Sequence, residues 1–201
     1  MKELPTLETA RLVLRPFAKA DIDEVARLAG AREVARYTLH IPHPYQRHMA
    51  ESWIASHRER YDEGVALTLA VTERQGRSLV GAMGLSVDAG NLTGELGYWI
   101  GVPYWGRGYA TEAAQAVLAH GFGPLGLERI HACHLAPNLA SGRVMQKLGM
   151  VQEGVLRQHV VKWGIRYDLI YYGLLRPEYL ATQHQSVTVS TTDTVGRKSH
   201  E

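Results

Sequence analysis

The chain has 201 residues, 45% hydrophobic and 21% charged, with a formal net charge of +2 when histidine is neutral. That length suits one domain with a proper core, and the small positive balance gives no argument for nucleic-acid binding. With Cys133 as its single cysteine the chain has no intramolecular disulfide, which fits a reducing compartment.

Met1-Lys2-Glu3-Leu4-Pro5 lacks the pattern of a secretory signal, and no apolar run is long enough to span a membrane. A cytoplasmic protein with no membrane partner is expected. From Arg11 to Phe17, Leu12 and Leu14 alternate with Arg11, Val13 and Arg15, a first strand. Asp21 suits the N-cap of a helix whose Ile22, Val25, Ala26 and Ala29 share one face, with Gly30 as its stop. A short helix is expected over Arg32 to Tyr37. His40-Ile41-Pro42-His43-Pro44-Tyr45 reads as a loop, because its prolines forbid regular pairing. Arg47 to Glu63 is an amphipathic helix with Met49, Trp53, Ile54 and Tyr61 as core candidates. Strands follow at Ala66 to Thr72, Leu79 to Val87 and Glu95 to Val102, with hairpin turns at Gln75-Gly76 and Gly90-Asn91.

Pro103 ends the last of these strands, and Trp105-Gly106-Arg107-Gly108-Tyr109-Ala110 comes next. Ala110, Ala113, Ala114, Val117, Leu118 and Gly121 then recur at helical spacing. A strand, a glycine turn and a helix N-terminus point free N–H groups and the positive end of a helix dipole at one spot. Gly106 and Gly108 let an anion reach the backbone, and Arg107 adds a cation. The segment from Gly106 to Thr111 reads as a pyrophosphate cradle. No Gly-Lys-Ser/Thr follows, so a Walker-type loop is unsupported. A dinucleotide fingerprint lacks its third glycine and its acidic residue.

A strand at Arg129 to Leu135, a helix at Leu139 to Leu148 and strands near Gly154 to His159 and Tyr167 to Leu175 complete the pattern. A meander followed by β-α-β-α units predicts an α+β fold. It has a mixed, mainly antiparallel central sheet with helices on both faces, an α/β/α layering. Residues 1–181 are expected to form one domain, and the Ser-, Thr-, Gln- and His-rich segment 182–201 a flexible tail.

The turn from Trp105 to Ala114 and the segment Asn138-Leu139-Ala140-Ser141…Lys147-Leu148-Gly149-Met150, in that order, resemble the Gcn5-related N-acetyltransferase superfamily. The branch most similar acetylates the N-termini of ribosomal proteins. Leu7-Glu8-Thr9-Ala10-Arg11-Leu12-Val13-Leu14-Arg15-Pro16 is also typical of it. The resemblance runs from about Leu7 to Tyr179 and implies acetyl-CoA as co-substrate, with no metal. The acceptor it favours is an amine at a protein N-terminus. A small-molecule amine (amino acid, polyamine or antibiotic) is the alternative acceptor, and a silent acyl-CoA-binding protein is the reading from another class. A homodimer is also allowed.

Amine acetylation needs a base for the ammonium proton, a donor for the carbonyl oxygen and an acid for the departing thiolate. Glu95 is the candidate base, sharing a strand face with Gly97, Trp99 and Gly101; Asp168 is the second. Ser141 is the candidate acid, three residues into a helix that Asn138 caps. Asn138 also suits a bond to the pantetheine arm. That arm is expected along Ile100, Gly101 and Val102, with Gly97 and Gly101 allowing close approach. Cys133 is expected to be buried away from the thioester, so that the amine attacks directly. His131 and His134 should face opposite ways, and His40, His43 and His48 have no acidic or thiol ligand at matched spacing.

Overall fold

A computed structural model describes residues 3–183. The chain opens with two short strands, β1 (Leu7–Glu8) and β2 (Leu12–Arg15). Leu12 and Leu14 are fully buried, as their alternation requires. Arg15 then grips Asp21 through two hydrogen bonds of 2.8 Å. Asp21 also accepts the Ala18 N–H at 2.7 Å. Its carboxylate therefore shapes the turn into α1 (Ile22–Ala29) and makes no side-chain cap on that helix.

The helices α2 (Arg32–Tyr37) and α3 (Arg47–Asp62) follow. The buried side chains of α3 are Ala50 and His57. Met49, Trp53, Ile54 and Tyr61, expected in the core, are only half-buried. For Met49 and Trp53 the reason is that they line a cleft. Next comes the meander of β3 (Ala66–Glu73), β4 (Leu79–Asp88) and β5 (Thr93–Ile100). The third strand stops at Ile100, earlier than expected, because Val102–Tyr104 closes into a 3-10 turn with Pro103 in its first turn.

The rest of the chain forms α4 (Tyr109–Phe122), β6 (Arg129–Leu135), α5 (Leu139–Lys147), β7 (Val151–Lys162) and β8 (Ile165–Leu175). A helical stretch, residues 176–183, ends the described part. The expected tail thus begins inside that helix, and its remainder lies outside the described residues. β7 and β8 are longer than the sequence pattern suggests. They form a hairpin turned by Trp163 and Gly164, both with positive φ (51° and 79°). A second irregularity, between Leu156 and Val160, breaks the alternation that the sequence reading relied on.

Among the described residues the sheet has eight strands in the order β1-β2-β3-β4-β5-β6-β8-β7, and only the β5–β6 pair is parallel, so the sheet is mixed and mainly antiparallel. Its two faces carry separate cores. Leu67, Leu69, Met83, Leu85, Leu96 and Ile100 pack with Ala113, Val117, Leu118 and Phe122 of α4 and Met145 of α5. Ala70, Ala82 and Trp99 pack with Ile22, Val25 and Leu28 of α1, Val34 of α2 and Ala50 of α3. Among the described residues no helix is long and apolar enough to cross a membrane.

Candidate active site

β5 and β6 pair only over Thr93–Glu95 and Arg129–His131. Beyond that point β5 stays in register with β4 as far as Ile100, and β6 with β8 as far as Leu135. The two strands part, and a cleft of about 850 Å³ opens between them and their flanking helices. The Gly101 N–H bonds the Val80 carbonyl on the β4 side at 2.8 Å. Alternation then turns the main-chain groups of Leu96, Tyr98 and Ile100 toward the cleft. The Ile100 carbonyl is taken by the Trp105 indole N–H at 2.6 Å. The edge open to an extended ligand is therefore Leu96, Tyr98 and the Ile100 N–H.

This moves the expected cofactor edge toward the start of β5. Ile100 lines the cleft, whereas Gly101 and Val102 do not. A Cβ on Gly101 would meet Leu28 Cδ2 at 2.7 Å, so this glycine makes room for α1 and not for a ligand. Gly97 differs: a Cβ there would meet nothing within 4 Å, so the space above it is open.

At the far end of β5, Gly106 and Gly108 hold φ of 75° and 79°, values that glycine adopts without strain. Gly108 is the N-cap of α4. Gly106, Gly108, Tyr109, Ala110 and Thr111 line the cleft, and the first amides of α4 have no intrahelical partner. Arg107 departs from expectation. Its guanidinium stands 3.8 Å from Glu73 and 5.5 Å from the Tyr104 ring, and it does not line the cleft. Behind the turn, Arg11 donates to the Arg107 carbonyl at 3.0 Å. Arg11 and Thr9 also hold Glu112, in the first turn of α4, at 2.6 to 2.8 Å. Burial raises the Glu112 pKa, but these donors outweigh it and keep the carboxyl below its usual range. The opening motif of the chain is thus the rear support of the glycine turn. Besides Arg60 of α3, the cations on the cleft wall come from α5: Arg143 and Lys147, one turn apart, neither of them in an ion pair among the described residues.

Glu95 stands at the fork, on the last paired residue of β5. Its Oε1 lies 3.7 Å from Cys133 Sγ, whose S–H points to it. Cys133 is half-buried and lines the cleft, contrary to the expectation of a buried thiol remote from the chemistry. Burial, with the neighbouring Glu95 charge, pushes its pKa up to about 12. It is a neutral thiol near pH 7 and a poor nucleophile. Across the cleft, Ser141 Oγ lies 2.7 Å from the Tyr98 hydroxyl. Burial pushes Tyr98 up to about 12, partly offset by the Ser141 bond. Asn138 caps α5 as expected, accepting the Ser141 N–H at 3.3 Å, and both residues line the cleft.

Asp168 lies outside the cleft lining. Its carboxylate accepts the Gln158 N–H at 2.8 Å, where Gln158 has φ of 50° in the β7 irregularity. It holds the strained stretch of β7. Of the histidines, His134 bonds the Leu135 carbonyl at 2.8 Å and His43 the Gly30 carbonyl at 3.1 Å. Among the described residues no three of His, Cys, Asp and Glu stand together as metal ligands.

The other end of the cleft is aromatic. Trp53 meets Phe17 edge-on at 5.1 Å and Trp99 at 6.5 Å, and Tyr37 and Tyr45 line the same wall with Glu33. Sequence reasoning missed Tyr98, Arg143 and Lys147, and took Trp53 as a core residue. Arg143 and Lys147 stand four apart and so share a face of α5, which was the available signal.

A sequence model of the acetyltransferase (GNAT) domain family matches residues 11–151. The uncharacterized N-acetyltransferase YoaA of Bacillus subtilis is 33% identical over 174 residues, 86% of this chain and 98% of that protein. YdaF of the same organism, provisionally named a ribosomal N-acetyltransferase, is 34% identical over 103 residues, 51% of this chain and 56% of its own. The crystal structure of an acetyltransferase (GNAT family) from Bacillus anthracis superposes with a TM-score of 0.77. It is 26% identical and covers 86% of this chain and 99% of its own.

Proposed function

The chain belongs to the GNAT acetyltransferases and is an N-acetyltransferase that uses acetyl-CoA, and we propose that its acceptor is the α-amine of a protein N-terminus, acetylated by direct attack within the split between β5 and β6. The observation that carries this reading is the split itself. It has a glycine turn and two unpaired cations toward one end, a carboxylate at the fork and an aromatic wall at the other end.

Acetyl-CoA supplies an activated acetyl group as a thioester. The amides from Gly106 to Thr111 bind its pyrophosphate, and Arg143 and Lys147 neutralise phosphate charge beside them. The open edge at Leu96 and Tyr98 takes the amides of the pantetheine arm as an added strand would, with Asn138 facing it. One N–H of that edge meets the carbonyl oxygen as it gains charge. Glu95 accepts the acceptor's proton, directly or through water. Ser141 gives its proton to the departing thiolate, and Tyr98 stands behind it at hydrogen-bond distance. Cys133 takes no part as a nucleophile, because its proton is held too tightly.

The protein-terminus acceptor is supported by the provisional name of YdaF and by the sequence motifs shared with that branch. A small-molecule amine is the second reading, favoured by the aromatic wall of Tyr37, Tyr45 and Trp53. Free-thiol release from acetyl-CoA separates them. Peptides with free N-termini should turn over, and the same peptides with blocked N-termini should not. Turnover with amino acids or polyamines alone would favour the second reading. Binding of acetyl-CoA without turnover of any amine would leave only a binding protein.

A further inference from the structure

Lys162 closes β7 with 8% of its surface exposed. Its ammonium donates to the carbonyl oxygens of Thr38 and, at 2.9 Å, of Ile41. Those residues lie 124 and 121 positions earlier, in the loop between α2 and α3. No carboxylate stands within 4.0 Å of Nζ among the described residues, so two carbonyl dipoles hold the charge, with the Trp163 ring 5.7 Å away. Burial lowers the Lys162 pKa accordingly. An ammonium so buried is costly, and the loop shows what it achieves.

Pro42 and Pro44 have no N–H, so residues 38–45 lack two of the backbone donors that would otherwise tie the loop down. The Thr38 hydroxyl is already committed to the Val34 and Ala35 carbonyls, at 3.1 and 3.3 Å. Lys162 supplies the missing donors from the hairpin. The neighbouring Trp163 adds contacts: its ring lies 5.9 Å from that of His43 and 5.7 Å from the Arg32 guanidinium. Thr38, His40, Ile41 and Tyr45 of this loop form a wall of the cleft, whereas Lys162 and Trp163 do not line it. The glycine turn is braced separately by Arg11, Glu112 and Glu73.

We propose that Lys162 is the positioning residue of the acceptor wall: it bolts the loop at residues 38–45 to the β7–β8 hairpin and so sets the acceptor pocket without touching the acceptor. This rests on the reading that the aromatic end of the cleft receives the amine. Acceptor binding should then depend on Lys162, and acetyl-CoA binding should not.

The test uses the full chain with Lys162→Met, which keeps the length of the side chain and removes its donors, and Lys162→Arg, which keeps charge and donors. Hydrogen–deuterium exchange of residues 38–45 is measured without acceptor. In the Met variant it should quicken about tenfold, the scale of a lost charge-assisted bond. Acceptor KM should rise about tenfold, the acetyl-CoA Kd should stay within about twofold, and the Arg variant should recover most of the loss. Unchanged loop exchange would overturn the proposal, as would an acetyl-CoA Kd that rises in step with acceptor KM. Should the Met variant not fold, Lys162→Gln, which removes the charge and keeps a polar end, serves in its place: loop exchange and acceptor KM should both rise, and no change in either rejects the bolt. The exchange measurement needs no turnover. A wild-type enzyme that acetylates no amine would therefore refute the acceptor reading, while loop exchange would still judge the bolt.

Discussion

The Tyr98 hydroxyl lies 2.7 Å from Ser141 Oγ, and this bond joins the two arms of the cleft. Tyr98 belongs to β5, whereas Ser141 rides on α5 behind β6, past the point where those strands stop pairing. A phenol with a pKa of about 12 keeps its proton near neutral pH, so it can donate to a serine oxygen that has just lost its own. Ser141→Ala should lower kcat on the order of 10²-fold with the acetyl-CoA Kd almost unchanged. Tyr98→Phe should lower it roughly tenfold. The double variant should match Ser141→Ala alone, because residues that act through one another are not additive. Single-turnover rates in the four enzymes decide this; multiplied losses would separate the two roles.

Glu95→Gln should lower kcat by ~10²–10⁴-fold, the usual range for loss of a general base. The loss should shrink as pH rises, because more of the acceptor amine is then already neutral. Rates from pH 6.5 to 9.5, at saturating acetyl-CoA, give the comparison. Equal activity of both enzymes near neutral pH would transfer the proton to bulk water, since the Asp168 carboxylate is occupied with the Gln158 amide.

Periodicity made most of the fold legible. Leu12 and Leu14, the alanine face of α4 and the Asn138 cap stand as their spacing required. The failures are long-range. Arg107 neighbours two glycines in sequence, yet Glu73 and Tyr104 draw it off the cleft. Gly101 looked like room for a ligand and is room for Leu28. Cys133 sits in an apolar strand, but that strand borders the split, and no local pattern shows where two strands cease to pair. Lys162 lies in an exposed-looking hairpin, and only the tertiary fold brings the proline loop to it.

The correction at Arg107 gives a direct comparison. Arg143→Glu and Lys147→Glu should each raise the acetyl-CoA Kd about tenfold at low salt, because a charge of the wrong sign then faces the phosphates. The effect should fall toward about twofold near 1 M salt, where the screening length is about 3 Å. Arg107→Gln should change the Kd less than about twofold, since its side chain lies outside the cleft lining. Calorimetric titrations of acetyl-CoA at two salt concentrations test all three. An Arg107→Gln defect as large as the α5 defects would return the phosphate cation to the turn.

Cys133→Ala should keep near-wild-type kcat, because the chemistry proposed here uses no acetyl-thiol intermediate. The intact thiol should also react slowly with iodoacetamide at pH 8. With its pKa near 12, the thiolate fraction there is on the order of 10⁻⁴. Mass spectrometry of the alkylated enzyme measures the rate. Fast labelling, or loss of turnover in the alanine variant, would reopen a covalent route.

His57 predicts how the fold responds to acid. It is 8% exposed, packs edge-on against Trp53 at 4.4 Å, and neither ring nitrogen has a hydrogen-bond partner among the described residues. Burial, with a smaller push from Arg60, lowers its pKa from 6.5 to about 4. The folded state therefore excludes a proton that the unfolded chain binds readily below pH 6.5. Stability from this group is fully present above pH 6.5 and is lost as pH falls toward 4. The full difference is about 3 kcal/mol, a large fraction of what holds a domain of this size. His57→Leu removes the titration. It should be at least as stable as wild type near pH 7.5, because it buries no unpaired ring nitrogen, and its lead should widen as pH falls to 5. Urea unfolding from pH 5 to 7.5 supplies both curves. Other histidines and carboxylates titrate in both proteins, so the difference between the curves carries the test. A constant gap would mean that the folded protein admits the proton, and that His57 is not sealed in its aromatic pocket.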